Sequence, residues 1–266
     1  MVLLGLVDSH VHLHEYGEFW SSYCGRFTML AVSDDVQSSL RTVEMARRCP
    51  TVVPAVGVHP WSVSEGLDLA KLTRDLEELL EVGGVRFLGE VGLDRVFTPG
   101  TFSYQLKVFE ALLDLASRYG VGLSIHAAGT WREVLDLLRR YGIGVAVFHW
   151  YTGPLDLLEN IVAEGYLIGV NPVLRVQRKH KEVVRAAPLE AIVTESDGPY
   201  VYRGLKLGPE LIEDLVARVA QIKGMEVGEV TEAVRRNFTR ALSRVGLSFS
   251  ILKGPGPSSN NPLASL

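Results

Sequence analysis

Eight short apolar runs recur along the chain, each separated from the next by a polar or amphipathic stretch. They are Val2–Val7, Thr28–Val32, Val52–Val58, Val85–Val91, Val121–Ile125, Val145–Phe148, Tyr166–Val170 and Ala191–Thr194. The runs are rich in Val, Ile and Leu and nearly unbroken, the pattern of parallel strands buried on both faces. The clearest amphipathic stretches are Leu67–Val82 and Phe102–Tyr119, followed by Trp131–Tyr141 and Pro154–Glu164. Gly120, Gly142 and Gly165 each follow a helical pattern where a C-terminal stop is expected. Two further helices, Pro209–Lys223 and Val227–Val245, complete an alternation that predicts an α/β fold, a (β/α)8 TIM barrel.

Length and composition fit that prediction. The chain has 266 residues, close to the ~250 of a typical barrel. A 47% hydrophobic share supplies a core, and 22% charged residues exclude a disordered chain. Residues 1–252 read as one domain. Residues 253–266, rich in Pro, Ser and Asn, read as a disordered tail. A net charge of −4 gives no basic surface for wrapping nucleic acid. Cys24 and Cys49 are the only cysteines, so no disulfide framework is expected and a reducing compartment is the default. Met1–Val7 has no basic flank and reads as a strand, not a signal peptide. No apolar run approaches the ~20 residues of a membrane span. The expectation is a cytoplasmic protein with no membrane association and no obligate protein partner.

The polar residues at the strand ends supply the chemistry. Five of the seven histidines, His10, His12, His59, His126 and His149, fall where predicted strands end, and so do Glu90 and Asp197. Strands of a barrel present their C-terminal residues at one mouth. His10 and His12, two positions apart, point to the same side of the first strand. A lone H-x-H is a weak signal; ligand-type residues at the ends of strands one, four, five, six and eight are a strong one. His10, His12, Glu90, His126, His149 and Asp197 exceed the four ligands of one tetrahedral zinc, so two divalent ions are expected. Glu90 is the natural bridge, one oxygen to each ion. No lysine lies at a strand end, and mixed His/carboxylate ligation suits Zn²⁺, Mn²⁺ or, less well, Mg²⁺.

In this order, DSHVHL (8–13), GVHP (57–60), GEVGLD (89–94), SIH (124–126), HWYTG (149–153), GYLIGVN (165–171), TESDGPY (194–200) and YRG (202–204) resemble the TatD family of metal-dependent hydrolases, of the amidohydrolase-like superfamily. The matches run from residue 8 to about 240. The resemblance implies a TIM barrel, a divalent-metal site and phosphodiester hydrolysis on DNA, often as a 3′→5′ exonuclease. It assigns one ion to His10, His12, Glu90 and Asp197 and the second to Glu90, His126 and His149. The family commonly follows the fifth-strand histidine with Ser-Arg, where this chain has Ala127-Ala128. The Asn-Glu-Pro that usually follows Tyr-Arg-Gly is reduced to Leu207-Gly208-Pro209. The ligands survive these departures and the substrate-binding periphery does not.

Asp197 is assigned as general base as well as ligand. Glu195 reads either as an acid orienting a ligand or as a partner of Arg203. His59 reads as a substrate hydrogen-bond donor or as a loop residue fixed by Pro60. Arg203 is the candidate phosphate contact, because its fork matches phosphate. Trp20, Trp61, Trp150 and Tyr151 lie in loops at the mouth, where they either stack nucleobases or pack the loops. Glu15–Arg26 is long enough to be a lid, with His14 a spare polar group within it. His180 falls in the basic run Arg175–Lys181, which is either a solvated face or an approach for a polyanion. Cys24 has no histidine partner and is no nucleophile. The leading expectation is a phosphodiesterase acting on DNA, on single-stranded ends, or on a small phosphoester. The alternatives are an ester or amide hydrolase, such as an aminoacyl-tRNA deacylase or a cyclic-amide hydrolase, and a non-catalytic metal-binding barrel.

Overall fold

The apolar runs become one ring of strands and the amphipathic stretches become its outer helices. A computed structural model describes residues 5–247; the tail at 253–266 lies outside the described residues. In chain order the elements are β1 (Leu6–Val11), β2 (Phe27–Ala31), α1 (Val36–Arg48), β3 (Val52–Val56), α2 (Leu69–Glu81), β4 (Phe87–Asp94), α3 (Phe102–Tyr119), β5 (Gly122–Ala128), α4 (Trp131–Arg140), β6 (Ala146–Phe148), α5 (Leu155–Ala163), β7 (Leu167–Val170), α6 (Arg178–Ala186) and β8 (Ile192–Thr194). A small hairpin, β9 (Val201–Tyr202) and β10 (Leu205–Lys206), precedes α7 (Ile212–Lys223) and α8 (Val227–Arg244).

Strands β1 to β8 pair in sequence order, every pair parallel, in a (β/α)8 TIM barrel. The ring closes where the segment after β8 meets β1: Asp197 N–H donates to His10 O at 2.9 Å and His12 N–H to Gly198 O at 2.9 Å. The seam of the barrel is therefore also the seam of the histidine pair. Leu, Val, Ile and Phe side chains on both faces of the strands are buried, as the continuous apolar runs require. The three expected helix stops hold, with Gly120, Gly142 and Gly165 all at positive φ. Among the described residues no helix is long and apolar enough to cross a membrane.

Two departures from regular pairing sit beside the mouth. Registers slip between Asp8 and Val11 of β1 and between Leu88 and Val91 of β4. The β4 irregularity carries Glu90, whose N–H donates to Ser33 O at 2.9 Å, while Gly89 O accepts from Ser33 N–H at 2.9 Å. Such bulges re-aim side chains next to active sites. Gly92, at φ +146°, lets β4 approach β5, for a Cβ there would collide with the His126 carbonyl.

The expectation of two free cysteines is corrected. Cys24 and Cys49 form a disulfide with Cα atoms 5.8 Å apart. The spacing gave no sign of it because only the fold brings the end of the first loop to the end of α1. The argument for a reducing compartment loses its premise. The candidate lid is docked: Leu13–Tyr23 forms 3₁₀ turns interrupted at Gly17, with Leu13, Trp20 and Tyr23 buried. Tyr23 Oη donates to Glu210 at 3.1 Å. The bond closes a separation of 25 residues, which corresponds to about 3 kcal/mol of stability. Reduction with dithiothreitol should therefore lower the melting midpoint by roughly 6–12 °C. An unchanged midpoint in calorimetry would show that the bond contributes nothing to stability.

Candidate metal centre

Five strand-end residues, His10, His12, His126, His149 and Asp197, gather around Glu90, which is 2% exposed. His10 lies within β1 and is wholly buried. Its Nε2 is 3.1 Å from Glu90 Oε2 and 3.7 Å from Asp197 Oδ1. His12, just beyond β1, turns Nε2 to the same two oxygens, at 3.3 and 3.6 Å. On the other side of the carboxylate, His126 Nδ1 lies 2.8 Å from Glu90 Oε1. His149, one residue past β6, places Nε2 3.7 Å from Asp197 Oδ1 and stacks on the His10 ring at 3.7 Å between centroids. The two oxygens of Glu90 thus face two different sets of nitrogens.

The grouping on Oε1 differs from the one the resemblance implies. Ligand-type atoms of His59, Glu90 and His126 lie within 4.8 Å of one another, and so do those of His10, Glu90 and His149. His126 and His149 share Glu90 but are not grouped directly. His59 Nε2 is 3.4 Å from Glu90 Oε1. Its Nδ1 accepts the Trp61 N–H at 3.1 Å. With Nδ1 used as acceptor, the neutral ring carries its proton on Nε2. His59 therefore presents a donor to the site, not a lone pair.

Each histidine that turns one nitrogen inward has a partner on the other. His12 Nδ1 faces Asp34 at 3.1 Å, His149 Nδ1 faces Glu195 at 3.0 Å, His126 Nε2 faces Asp94 at 2.9 Å, and His10 Nδ1 is bonded to Ser124 Oγ at 2.9 Å. Carboxylate–histidine pairs of this kind fix the tautomer and rotation of a metal-ligating imidazole. Glu195 takes that role and does not pair with Arg203; it also accepts the Trp150 N–H at 2.7 Å. Asp34, Asp94 and Ser124 were not among the predicted site residues. Asp94 stands in the quoted GEVGLD stretch, but which imidazole it meets is a tertiary fact. Asp94 also accepts the Trp61 indole N–H at 2.6 Å and the N–H groups of Val96 and Phe97 at 2.8 and 2.7 Å.

With their outer nitrogens engaged, the inner imidazole lone pairs are aimed at carboxylate oxygens. Such a contact repels unless a proton or a cation lies between. The residues therefore fit divalent cations, and in their absence protons fill the same gaps. Burial opposes charge on His149, yet Glu195 and Asp197 push it up to about 9. His12 and His126 are raised against the same penalty by their carboxylates. His10 is lowered by burial and by the charge of His149. Burial alone would raise Glu90 and Asp197, but the surrounding histidines hold both below the usual carboxylate range. Asp8, behind the site, is pushed up to about 7 by burial although Ser196 N–H donates to it at 2.8 Å.

Above the ligands opens a cavity of about 550 Å³. Trp61 and Trp150 line it, together with Phe97, Trp131, Tyr200 and Tyr202. Tyr151 does not: it is fully buried, and its hydroxyl donates to Pro154 O at 2.6 Å. Trp20 is also buried, beneath the Arg48 guanidinium at 5.3 Å. Both pack loops, as large rings do when a buried niche is available. Arg203 is at the exposed turn of the β9–β10 hairpin, 5.4 Å over the Tyr202 ring, and does not line the cavity. His180 is buried, accepts the Asn171 N–H at 3.2 Å, and is pushed down to about 4 by burial. Within the basic run around it, Arg175 pairs with Asp214 at 2.8 Å and Arg178 with Glu182 at 2.9 Å, and Lys179 lies over the Trp131 ring at 5.4 Å. His14 is not spare, since its Nε2 lies 3.0 Å from Asp34.

Comparison with known proteins agrees with this geometry. The family model for TatD related DNase matches residues 7–243. An uncharacterized metal-dependent hydrolase, MJ1582, of Methanocaldococcus jannaschii is 27% identical, over 77% of this chain and 81% of that protein. The mouse protein named "Putative deoxyribonuclease TATDN3" is 28% identical, over 91% of this chain and 90% of its own length. The crystal structure of YJJV, a TatD homolog from Escherichia coli, has a TM-score of 0.79 at 22% identity. It covers 92% of this chain and 98% of that one, and shows the same fold. A match that runs from the first barrel strand to the last barrel helix places the chain in the TatD family, as a metal-dependent hydrolase.

Proposed function

We propose that this protein hydrolyses phosphodiester bonds at single-stranded DNA ends, removing nucleotides in the 3′→5′ direction. The observation that carries the reading is Glu90, whose two oxygens face separate sets of nitrogens at 2.8 and 3.1 Å. That arrangement suits a pair of cations a few ångströms apart, the geometry used to clamp attacking and leaving oxygens in phosphoryl transfer. His10, His12, Glu90 and Asp197 would hold one ion and Glu90 and His126 the second; His149, which groups with His10 and Glu90 and not with His126, is given to the second ion by the family resemblance alone. Divalent Zn²⁺, Mn²⁺ or Mg²⁺ bound there would polarise the scissile ester and make water a stronger acid. The mouse relative named "Putative deoxyribonuclease TATDN3" supports DNA as the substrate.

The protein's own groups divide the remaining work. Asp197 accepts the proton of the attacking water; its neighbours His149, His12 and His10 keep the carboxylate ionised at neutral pH. Glu195, Asp34 and Asp94 hold the imidazoles in one rotation and tautomer. His59 offers its Nε2 proton toward the reacting group. Arg203, outside the cavity and over the Tyr202 ring at 5.4 Å, is given no part in holding the phosphate.

A second reading rests on one observation: among the described residues, no lysine or arginine lines the cavity. An uncharged ester or amide, such as an aminoacyl ester, would need none. End-labelled single-stranded DNA with Mn²⁺, Mg²⁺ or Zn²⁺ decides between them. Stepwise shortening from the 3′ end supports the first reading, and no cleavage by a folded, metal-loaded sample moves the assignment to esters or amides.

Asp197→Asn should lower kcat by at least about a hundredfold with an unchanged melting midpoint, and a near-native rate would remove the base assignment. Metal uptake should also release protons. Below pH 9 His149 carries a proton that a cation must displace. The apparent affinity should therefore rise from pH 6 to pH 9, and calorimetric heats should depend on the ionisation enthalpy of the buffer. Affinity that is flat across that range would contradict the proton-filled array.

A further inference from the structure

The cavity walls carry two aromatic banks on opposite sides of the metal-ligating array. Trp61 follows β3 and Phe97 follows β4; their rings meet edge to face at 5.6 Å. Trp150 follows β6, and Tyr200 and Tyr202 follow β8; they lie 6.2 and 5.4 Å from the Trp150 ring. In a ring ordered β1 to β8, the segments after β3 and β4 stand on one side of the mouth and those after β6 and β8 on the other. The ligands lie between: Trp61 is 6.3 Å from the His126 ring, and Trp150 is 6.0 Å from His149.

These rings are exposed yet held. Phe97 is 66% exposed, Trp61 47% and Tyr200 44%. Large apolar side chains left open beside a catalytic array mark a binding surface. Both indoles are anchored through their N–H groups, Trp61 to Asp94 at 2.6 Å and Trp150 to Gln177 at 3.2 Å. Little ordering entropy remains to be lost when a ligand stacks on them. Among the described residues, none of those lining the cavity is lysine or arginine. The flanking cations sit over rim rings and do not line the cavity: exposed Arg203 is 5.4 Å from the Tyr202 centroid and Lys179 is 5.4 Å from the Trp131 centroid.

We propose that the two banks form a base clamp. The substrate is a base-bearing single-stranded end, with one nucleobase stacked on Trp61–Phe97 and the next on Trp150–Tyr200–Tyr202. The linking phosphate then lies over Glu90 and Asp197. Affinity comes from the rings and not from cationic phosphate contacts, and stacking tolerates any base sequence. A duplex end is a poor substrate because paired bases cannot splay onto both banks. This deepens the DNA-end reading and rests on it for the identity of the bond cleaved, but the clamp can be tested without cleavage.

The probe is a dinucleoside methylphosphonate, which has two bases and no charge, titrated into the full-length protein without metal and read by tryptophan fluorescence. Saturable quenching is expected, with affinity at least about fivefold weaker in Phe97→Ala and in Tyr200→Ala. Both side chains are exposed, so the variants should keep the native melting midpoint. Absence of saturable quenching, or equal affinity in both variants, overturns the clamp. In the DNA assay, KM should change less than about threefold between 50 and 200 mM salt. A rise of a hundredfold or more would reveal cationic phosphate contacts and also overturn it. DNA cleavage without dinucleoside binding sinks the clamp alone. Dinucleoside binding without DNA cleavage supports the clamp and sinks the DNA-end reading alone.

Discussion

A buried carboxylate surrounded by imidazoles is the constraint on which this molecule turns. Glu90 is 2% exposed, and a buried charge without compensation costs several kcal/mol. Compensation comes from both flanks, His10 and His12 on one oxygen, His126 and His59 on the other. Those residues arrive from β1, the β3 loop and β5, so the charge can be satisfied only if the strands stand in the right order. The same demand explains the irregular register of β4 at Leu88–Val91. A regular strand would send alternate residues to opposite faces, and the Ser33 exchange with Gly89 and Glu90 holds the departure in place.

Barrel closure and site geometry are one structural fact. Asp197 N–H on His10 O joins the end of the β8 segment to β1 and sets the distance between a ligand carboxylate and a ligand histidine. Asp197 and Trp150 both hold positive φ, at 55° and 43°. Such backbone costs on the order of 1 kcal/mol or more in a non-glycine residue. Each is held by a hydrogen bond from its own N–H, to His10 O and to Glu195 respectively. Glu195 thereby couples the rotation of His149 to the position of a cavity-lining ring.

The eight strands were legible because burial on both faces writes an unbroken apolar run, which periodicity reads directly. Their ends were less so. The first run was read as Val2–Val7, but β1 extends to Val11 because Asp8, Ser9 and His10 are buried polar residues inside the barrel, and local hydropathy cannot anticipate a partner from another strand. Glu90, His126, His149 and Asp197 were legible for the converse reason: chemistry-bearing residues at equivalent strand ends must meet at one mouth. Asp34, Asp94 and Ser124 were not, because each is defined by the imidazole it faces across 22, 32 or 114 positions of sequence. The four mouth aromatics divided for a similar reason. Trp20 and Tyr151 found buried niches that only the folded loops create, whereas Trp61 and Trp150 have indole N–H groups held at the rim.

The first β-strand connection shows how a segment without a barrel helix can still place a ligand. Asp34 pairs with His12 through one oxygen and with His14 through the other, so the chain leaving β1 is tied to the chain leaving β2. The next residue, Asp35, caps α1 through the Ser38 N–H at 2.7 Å. At the far end of α1, Cys49 is bonded back to Cys24, the residue that follows the 3₁₀ turns. The segment from His12 to Cys24 is thus fixed at both ends to the same β2–α1 unit, one link polar and one covalent. Any displacement of Leu13–Tyr23 must strain the Asp34 pair, and with it the rotation of His12. A connection of that kind acts as a wall of the site and not as a gate, and His12 is held in place by packing that lies outside the metal centre.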